Sequence, residues 1–99
     1  MVYVLADLKV ENYETWKAFF DKRSDTREGS GVKEAHLFRN SDDPNDVLIL
    51  FIWDTKENAR EYMESENLRK YLKNAGSEIK KITYLDEQET SIKKKIWSD

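Results

Sequence analysis

Residues 47–53 are apolar at every position. Consecutive side chains of an extended strand point to opposite faces of the sheet, so both faces of this segment would be apolar. A strand that is apolar on both faces is typical of a strand that is buried on both faces. The two predicted sets are Val47, Ile49, Phe51 and Trp53 on one face, and Leu48, Leu50 and Ile52 on the other. Both faces of the sheet that contains this strand must therefore be covered.

The surrounding segments alternate between strand and helix patterns. Four segments have the period of two or the apolar content of β-strands: 2–10, 32–39, 47–53 and 79–85. Two longer segments have the spacing of amphipathic helices: one from Asn12 to the Gly-Ser-Gly segment at 29–31, and one from Asp54 or Thr55 to Gly76, with a kink at 65–67.

This order of elements predicts an α+β fold, the ferredoxin-like βαββαβ arrangement. Right-handed crossovers place both helices on the same face of a four-stranded antiparallel sheet. A polar hairpin turn at 41–46 joins the second and third strands. It accounts for Asp42, Asp43 and Asp46 better than a calcium-binding loop, whose glycine and terminal glutamate are missing.

The second face of the predicted sheet has no cover within the chain. An apolar sheet face left in water promotes aggregation, and a second copy related by a two-fold axis would cover it. The sequence therefore predicts a homodimer in which the two sheets face each other.

The chain of 99 residues has room for one domain. We expect a folded protomer at 1–86 and a mostly charged C-terminal tail at 87–99. Ile92, Ile96 and Trp97 are the apolar side chains of this tail. Because exposed apolar side chains forgo the free energy of burial, we expect the tail to lie against the partner subunit.

Composition excludes several classes of function. The chain has no cysteine, which excludes disulfides, a thiolate nucleophile and cysteine-based metal sites. A net charge of −3 disfavours nucleic-acid binding, which normally needs a basic face. Three glycines without a glycine-rich motif disfavour flavin, nicotinamide and nucleotide cofactors. No apolar run could cross a membrane and the N-terminus lacks a signal-peptide pattern, so we expect a cytoplasmic protein with no membrane partner.

Several short stretches resemble those of one known family: VENYETW at 10–16, LFRNSDDPN at 37–45, LFIWD at 50–54, AR at 59–60, SENLR at 65–69 and AG at 75–76. The family is the antibiotic-biosynthesis-monooxygenase-like group of dimeric α/β barrels, and the resemblance covers residues 2–86. It implies the dimeric α/β-barrel fold more strongly than any one activity. Members include cofactor-independent monooxygenases of aromatic polyketides, haem-degrading enzymes, cyclase-like proteins and proteins without a known activity.

The resemblance also bears on the haem-degrading branch of this group. Aligned through Trp53 and Ser65, the iron-ligating histidine of that branch falls on Leu72, its second-helix tryptophan on Tyr62 and its first-strand asparagine near Asp7. Leucine has no atom that can ligate iron. We therefore expect no haem, no metal and no other cofactor.

His36 is the only histidine and hence the only imidazole available for proton transfer near neutral pH. The strand pattern favours a face shared with Glu34 and Phe38, which would direct His36 into the barrel. There it could meet Asp7 or Tyr84, and we take these three residues as the candidate catalytic groups. The alternative is a half-exposed strand histidine that is hydrogen-bonded to a neighbour or to water.

Aromatic side chains are the candidate walls of a site for a small aromatic ligand. We assign this role to Phe38, Trp53 and Tyr62. Helical spacing favours a plain core position for Trp16 and Tyr71.

Three classes of function remain open at this point. The protein could be a cofactor-independent monooxygenase or cyclase-like enzyme that acts on an aromatic or polyketide-like substrate. It could bind a ligand in the same cavity without catalysis. It could also be a structural dimer whose barrel is filled by its own side chains.

Overall fold

The computed structural model describes residues 1–89, so the predicted contact of Ile92, Ile96 and Trp97 with a partner lies outside the described residues. The described chain forms eight elements: β1 (Val2–Val10), α1 (Tyr13–Lys22), α2 (Ser24–Gly29), β2 (Val32–Asn40), β3 (Asp43–Trp53), α3 (Lys56–Met63), α4 (Glu66–Asn74) and β4 (Ser77–Leu85). The strands make one antiparallel sheet in the order β2-β3-β1-β4. This confirms the predicted α+β, ferredoxin-like fold.

The central strand β3 has the two apolar faces expected from its sequence. Val47, Ile49, Phe51 and Trp53 are each at most 3% exposed and lie in the core beneath the helices. Leu48, Leu50 and Ile52 point the other way and are half-buried. We call this second surface the open face; it carries Tyr3, Leu5, Phe38, Leu48, Leu50, Ile52 and Leu85.

Each of the two predicted helices is interrupted. The first ends at Arg23, where the backbone leaves the helical region at φ −95° and ψ 10°, and α2 follows at once. In the second, Ser65 interrupts the helix at the predicted kink and caps α4 by accepting a 3.2 Å hydrogen bond from the Leu68 N–H. Asn12 caps α1 in the same way, with 2.9 Å from its Oδ1 to the Thr15 nitrogen. Thr55, rather than Asp54, caps α3.

Three strand boundaries differ from the prediction. β2 extends by one residue to Asn40, and β3 and β4 begin earlier because polar side chains satisfy the backbone there. β3 begins at Asp43 rather than after the turn at 41–46, and the Asp43 carboxylate accepts a 3.0 Å hydrogen bond from the Asn45 N–H. Arg39 on β2 donates to the Pro44 carbonyl across the hairpin. β4 begins at Ser77, whose hydroxyl donates a 2.9 Å hydrogen bond to the Leu72 carbonyl.

Candidate functional site

His36 lies on β2 opposite Leu50, so its side chain belongs to the open face together with those of Glu34 and Phe38. This confirms the predicted phase of the second strand. The His36 side chain is 49% exposed, and its Nε2 lies 2.9 Å from Glu34 Oε1. Within one protomer, His36 is therefore a half-exposed strand residue paired with its neighbour.

Asp7 shares the open face with His36 but lies apart from it. The residue opposite Asp7 on β3 is Leu48, whereas the residue opposite His36 is Leu50. The two side chains are therefore separated by two strand spacings and by two residues along the strand, which is about 12 Å in backbone distance.

Tyr84 lies on the other side of the sheet. It pairs with Val4, whose side chain is fully buried under the helices. Its hydroxyl donates a 2.7 Å hydrogen bond to Glu64 Oε2. Partial burial and this hydrogen bond raise the pKa of Tyr84 to about 12. The register of β4 against β1 thus separates Tyr84 from Asp7 and His36, and one protomer does not gather the three candidate catalytic groups around one cavity.

The partner of Asp7 is another carboxyl group, that of Asp46 on β3. A hydrogen bond to Asp46 and burial raise the pKa of Asp7, while hydrogen bonds from Asp7 and Asn40 lower the pKa of Asp46. One oxygen of each carboxyl group, Oδ1, is buried and accepts no hydrogen bond from a donor within residues 1–89. Lys80 is nearby, with its Nζ 3.6 Å from Asp46 Oδ1. A proton held by Asp7 and donated to Asp46 accounts for this arrangement.

A cavity lies on the opposite side of the sheet, between the strands and the helix layer. Its volume of about 40 Å³ has room for roughly three waters. The sheet contributes apolar side chains of β1 and β3 to its floor, and the helices contribute aromatic walls. The lining includes Ala6, Ile49 and Phe51 below, and Trp16, Phe20, Tyr62 and Tyr71 from the helices.

Two arginines also line this cavity. Arg27 on α2 is only 8% exposed and is the one buried charged side chain of residues 1–89. Its Nη1 donates a 2.7 Å hydrogen bond to the Phe20 carbonyl, and burial lowers its pKa. Arg23 lies at the break between α1 and α2, where its Nε donates a 3.2 Å hydrogen bond to the Tyr62 hydroxyl. Its guanidinium carbon is 4.6 Å from the centroid of the Tyr71 ring.

Of the three predicted ligand-binding aromatics, Tyr62 alone lines this cavity. Trp53 is fully buried behind it, with ring centroids 5.6 Å apart, and donates from Nε1 to the Ser30 carbonyl over 3.1 Å. Phe38 is 54% exposed on the open face. The prediction from the sequence did not include the two arginines among the site residues. A signal was present, because helical spacing places four residues on one side of this segment: Trp16, Phe20, Arg23 and Arg27.

The cavity lining includes no histidine. Leu72, at the position where the resemblance implies an iron ligand, lines the cavity with an aliphatic side chain. Within residues 1–89, no group of three or more His, Cys, Asp or Glu side chains is placed to hold a metal ion.

No helix within residues 1–89 is long and apolar enough to cross a membrane.

Comparisons with solved structures show the same fold in several proteins. SnoaB, a cofactor-independent oxygenase from Streptomyces nogalater, is 14% identical with a TM-score of 0.72, over 90% of this chain and 94% of its own. A putative antibiotic biosynthesis monooxygenase from Deinococcus radiodurans is 18% identical with a TM-score of 0.65, over 93% and 97% of the two chains. One from Bordetella bronchiseptica is 14% identical with a TM-score of 0.71, over 88% and 96%.

No curated protein sequence matches the chain significantly. The sequence model of one family, antibiotic biosynthesis monooxygenase, matches residues 1–74, which include both interrupted helices and the first three strands. That match extends over most of the cavity lining and agrees with the fold of the solved structures. The chain therefore belongs to the antibiotic biosynthesis monooxygenase family.

Proposed function

We propose that this protein is a cofactor-independent oxygenase or cyclase-like enzyme that acts on a small aromatic or polyketide-like substrate. The observation that carries the proposal is the cavity between sheet and helices, which combines aromatic walls with two guanidinium groups. SnoaB, which has the same fold, is a cofactor-independent oxygenase. Family membership makes the same class of reaction the leading candidate here.

The chemistry of such a site follows from its side chains. A substrate whose methylene lies next to a carbonyl and aromatic rings loses a proton to give a delocalised carbanion. That carbanion reduces O₂ directly, one oxygen atom enters the product as a carbonyl, and the other leaves as water. Positive charge in a cavity of low polarity stabilises the carbanion and thereby lowers the barrier to its formation. Arg27 and Arg23 supply that charge beneath the helices.

The size of the cavity requires a movement on binding. A cavity of about 150 Å³ accommodates benzene, and this one measures about 40 Å³. A tricyclic substrate therefore enters only if helices move outward. The breaks at Arg23 and Ser65 divide the helix layer into four short segments. We propose that one or more of these segments move when the substrate binds. An interior of this size also favours the second candidate function, a structural dimer with a filled interior.

The proposal includes a homodimer formed through the open face. Leu48, Leu50 and Ile52 form a continuous apolar strip along β3, and Phe38 and Leu85 are the exposed large apolar side chains at its sides. A second copy would cover this surface. It would also enclose Asp7 and His36, so the interior of the dimer is the alternative location for acid–base chemistry, with Tyr84 outside it.

Oxidation of anthrone tests the proposed function, because its methylene is acidic and its oxidation to anthraquinone consumes one O₂ and releases one water. The purified protein is incubated with anthrone and a chelator, and O₂ uptake and anthraquinone are measured against a protein-free control. Tryptophan fluorescence reports binding, since Trp16 lines the cavity. The proposal predicts saturable binding and protein-dependent oxidation that the chelator leaves unchanged. Absence of both for anthrone and for its hydroxylated analogues supports the structural dimer.

A further inference from the structure

Arg27 makes unusually few polar contacts for a buried arginine. Its guanidinium group has five N–H donors, of which one binds the Phe20 carbonyl. One face of the group covers the Phe20 ring at 3.8 Å from the centroid. No carboxylate of residues 1–89 lies within ion-pair distance of it. Buried charged side chains are normally paired, whereas the remaining N–H groups of Arg27 bond to no atom of residues 1–89 and are available to water or to a ligand.

The neighbouring groups do not neutralise this charge. The nearby Asp21 carboxylate is held by Lys17, whose Nζ lies 2.8 Å from both carboxylate oxygens. Arg23 brings a second positive charge to the cavity. The residues that line the cavity include no Asp, Glu or His. The cavity is therefore a cationic pocket without an internal counter-ion.

Of the two tyrosine hydroxyl groups at the cavity, that of Tyr62 adds a donor to this pocket. Tyr62 accepts a hydrogen bond from Arg23 Nε, which leaves its own proton free to be donated. The Tyr71 proton is already donated to the Phe19 carbonyl over 2.7 Å. Flat walls accompany these donors, because the rings of Trp16 and Phe20 are stacked with centroids 5.0 Å apart. The pocket thus offers positive charge, hydrogen-bond donors and planar apolar surfaces, which suit a planar ligand that accepts hydrogen bonds.

We propose that the cavity selects planar aromatic anions, namely ionised phenols, enols or aryl carboxylates, and that Arg27 binds the anionic oxygen with Arg23 beside it. This inference rests on the proposed function and narrows its substrate class. The substrate binds as an anion, so charge recognition precedes any reaction with O₂. A carboxylate and a phenolate present the same oxygen chemistry to the two guanidinium groups, and separate probes distinguish them.

The first probe pair is naphthoate and naphthamide, which have the same shape and differ in charge at neutral pH. Quenching of tryptophan fluorescence gives the dissociation constant of each. A charge-assisted hydrogen bond in a buried site corresponds to about a 10- to 100-fold difference in affinity, so naphthoate should bind more tightly by that factor. The second probe is para-nitrophenol, whose anion absorbs visible light. Binding should increase its ionised fraction at a fixed pH below its solution pKa.

Arg27→Met is the informative variant, because methionine is an unbranched apolar side chain of similar volume that removes the charge and the guanidinium group over Phe20. It should lose the 10- to 100-fold preference for naphthoate while its affinity for naphthamide stays within about two-fold. Arg60→Met is the control, since Arg60 also lies over an aromatic ring, that of Tyr84 at 5.3 Å, but is exposed and outside the cavity lining. It should retain the preference for the anion.

The outcomes separate this inference from the proposed function. Equal binding of naphthoate and naphthamide by the unmodified protein, with binding saturable, overturns the selection of anions and leaves the aromatic cavity in place. Loss of binding of both probes in Arg27→Met shows that the residue acts structurally, and this also overturns the inference. Absence of binding of all three probes to the unmodified protein overturns the inference, and the oxidation of anthrone then decides the proposed function separately.

Discussion

The guanidinium carbon of Arg27 lies 3.8 Å from the centroid of the Phe20 ring, and Arg27 Nη1 donates a 2.7 Å hydrogen bond to the carbonyl of the same residue. Seven residues along the chain separate the two, and the break at Arg23 lies between them. The contact therefore connects α2 to the end of α1. It also orients the only buried charge of residues 1–89 toward an aromatic cavity.

Arg27→Met and Arg27→Ala should differ in stability. Burial of a charge without a counter-ion costs free energy, and methionine removes that charge with little change in volume, so the Met variant should unfold at an unchanged or higher temperature. The Ala variant loses the contact with Phe20 and enlarges the cavity, which should cost about 1–3 kcal/mol. Thermal and urea unfolding monitored by circular dichroism measure both. Equal destabilisation by the two variants would mean that the charge itself stabilises the fold.

Asp7→Asn should change the pH dependence of stability. The pKa of Asp7 is higher in the folded protein than in the unfolded chain, so Asp7 ionises first in the unfolded chain as the pH rises. The free energy of unfolding therefore decreases between the pKa of Asp7 in the unfolded chain and its pKa in the folded protein. Asparagine at this position still donates to Asp46 but cannot ionise. The variant should match the unmodified protein below the unfolded pKa of Asp7 and become the more stable of the two as the pH rises to the folded pKa. Urea unfolding at a series of pH values measures this, and parallel pH profiles for the two proteins would contradict it.

Leu50→Lys should disrupt the proposed dimer. Leu50 lies in the apolar strip of β3 on the open face, and a lysine there would place an unpaired charge at the centre of the interface. Light scattering coupled to gel filtration should show a dimer for the unmodified protein and a monomer for the variant. Ala18→Lys on the exposed side of α1 is the control and should stay dimeric. A monomeric unmodified protein at micromolar concentration would overturn the dimer.

Gly31→Ala should destabilise the fold more than Gly29→Ala. Gly31 has φ +108°, which other residues rarely adopt, and a methyl group there would overlap the Asp54 carboxylate. Gly29 has open space around its α-carbon and ends α2. The first substitution should cost about 1–3 kcal/mol, and the second should be neutral or slightly stabilising. Similar unfolding temperatures for the two variants would show that the turn before β2 adapts.

The strand pattern of the sequence predicted the sheet well because the period of two is directly visible in it. The apolar residues at 47–53 correctly predicted which side chains of β3 lie on each face of the sheet. The alternation around His36 correctly predicted that its side chain lies on the same face as those of Glu34 and Phe38. The helix break at Arg23 was not predictable, since no glycine or proline marks it. Its position depends on the packing of Arg23 against Tyr62 and Tyr71, which are about 40 residues or more away in the chain.

The candidate site was harder to predict than the fold. The expected grouping of Asp7, His36 and Tyr84 required a register between four strands that single-strand patterns do not contain. The pairing of Tyr84 with Val4 rather than with an open-face residue decides its side of the sheet. Conversely, the sequence around Arg27 is typical of an exposed polar position on a surface helix. Its burial depends on tertiary packing, which the local sequence does not show.

His36→Ala distinguishes the two locations proposed for the chemistry. If the reaction takes place in the cavity beneath the helices, this variant should oxidise anthrone at close to the unmodified rate, because His36 lies on the open face and pairs with Glu34. A general acid or base contributes about 10²- to 10⁴-fold in rate. A loss of that size with the dimer intact would assign the reaction to the interior between the two sheets.

The most direct test of the cavity as the ligand site is a nitrogen-15 NMR titration of the protein with anthrone in the absence of oxygen. We expect the largest chemical-shift changes at residues that line the cavity, above all Trp16, Phe20, Arg27, Tyr62 and Tyr71. Residues of the open face, such as His36 and Phe38, should change little. Changes concentrated at His36, Phe38 and Leu50, with the helix layer unaffected, would contradict the account.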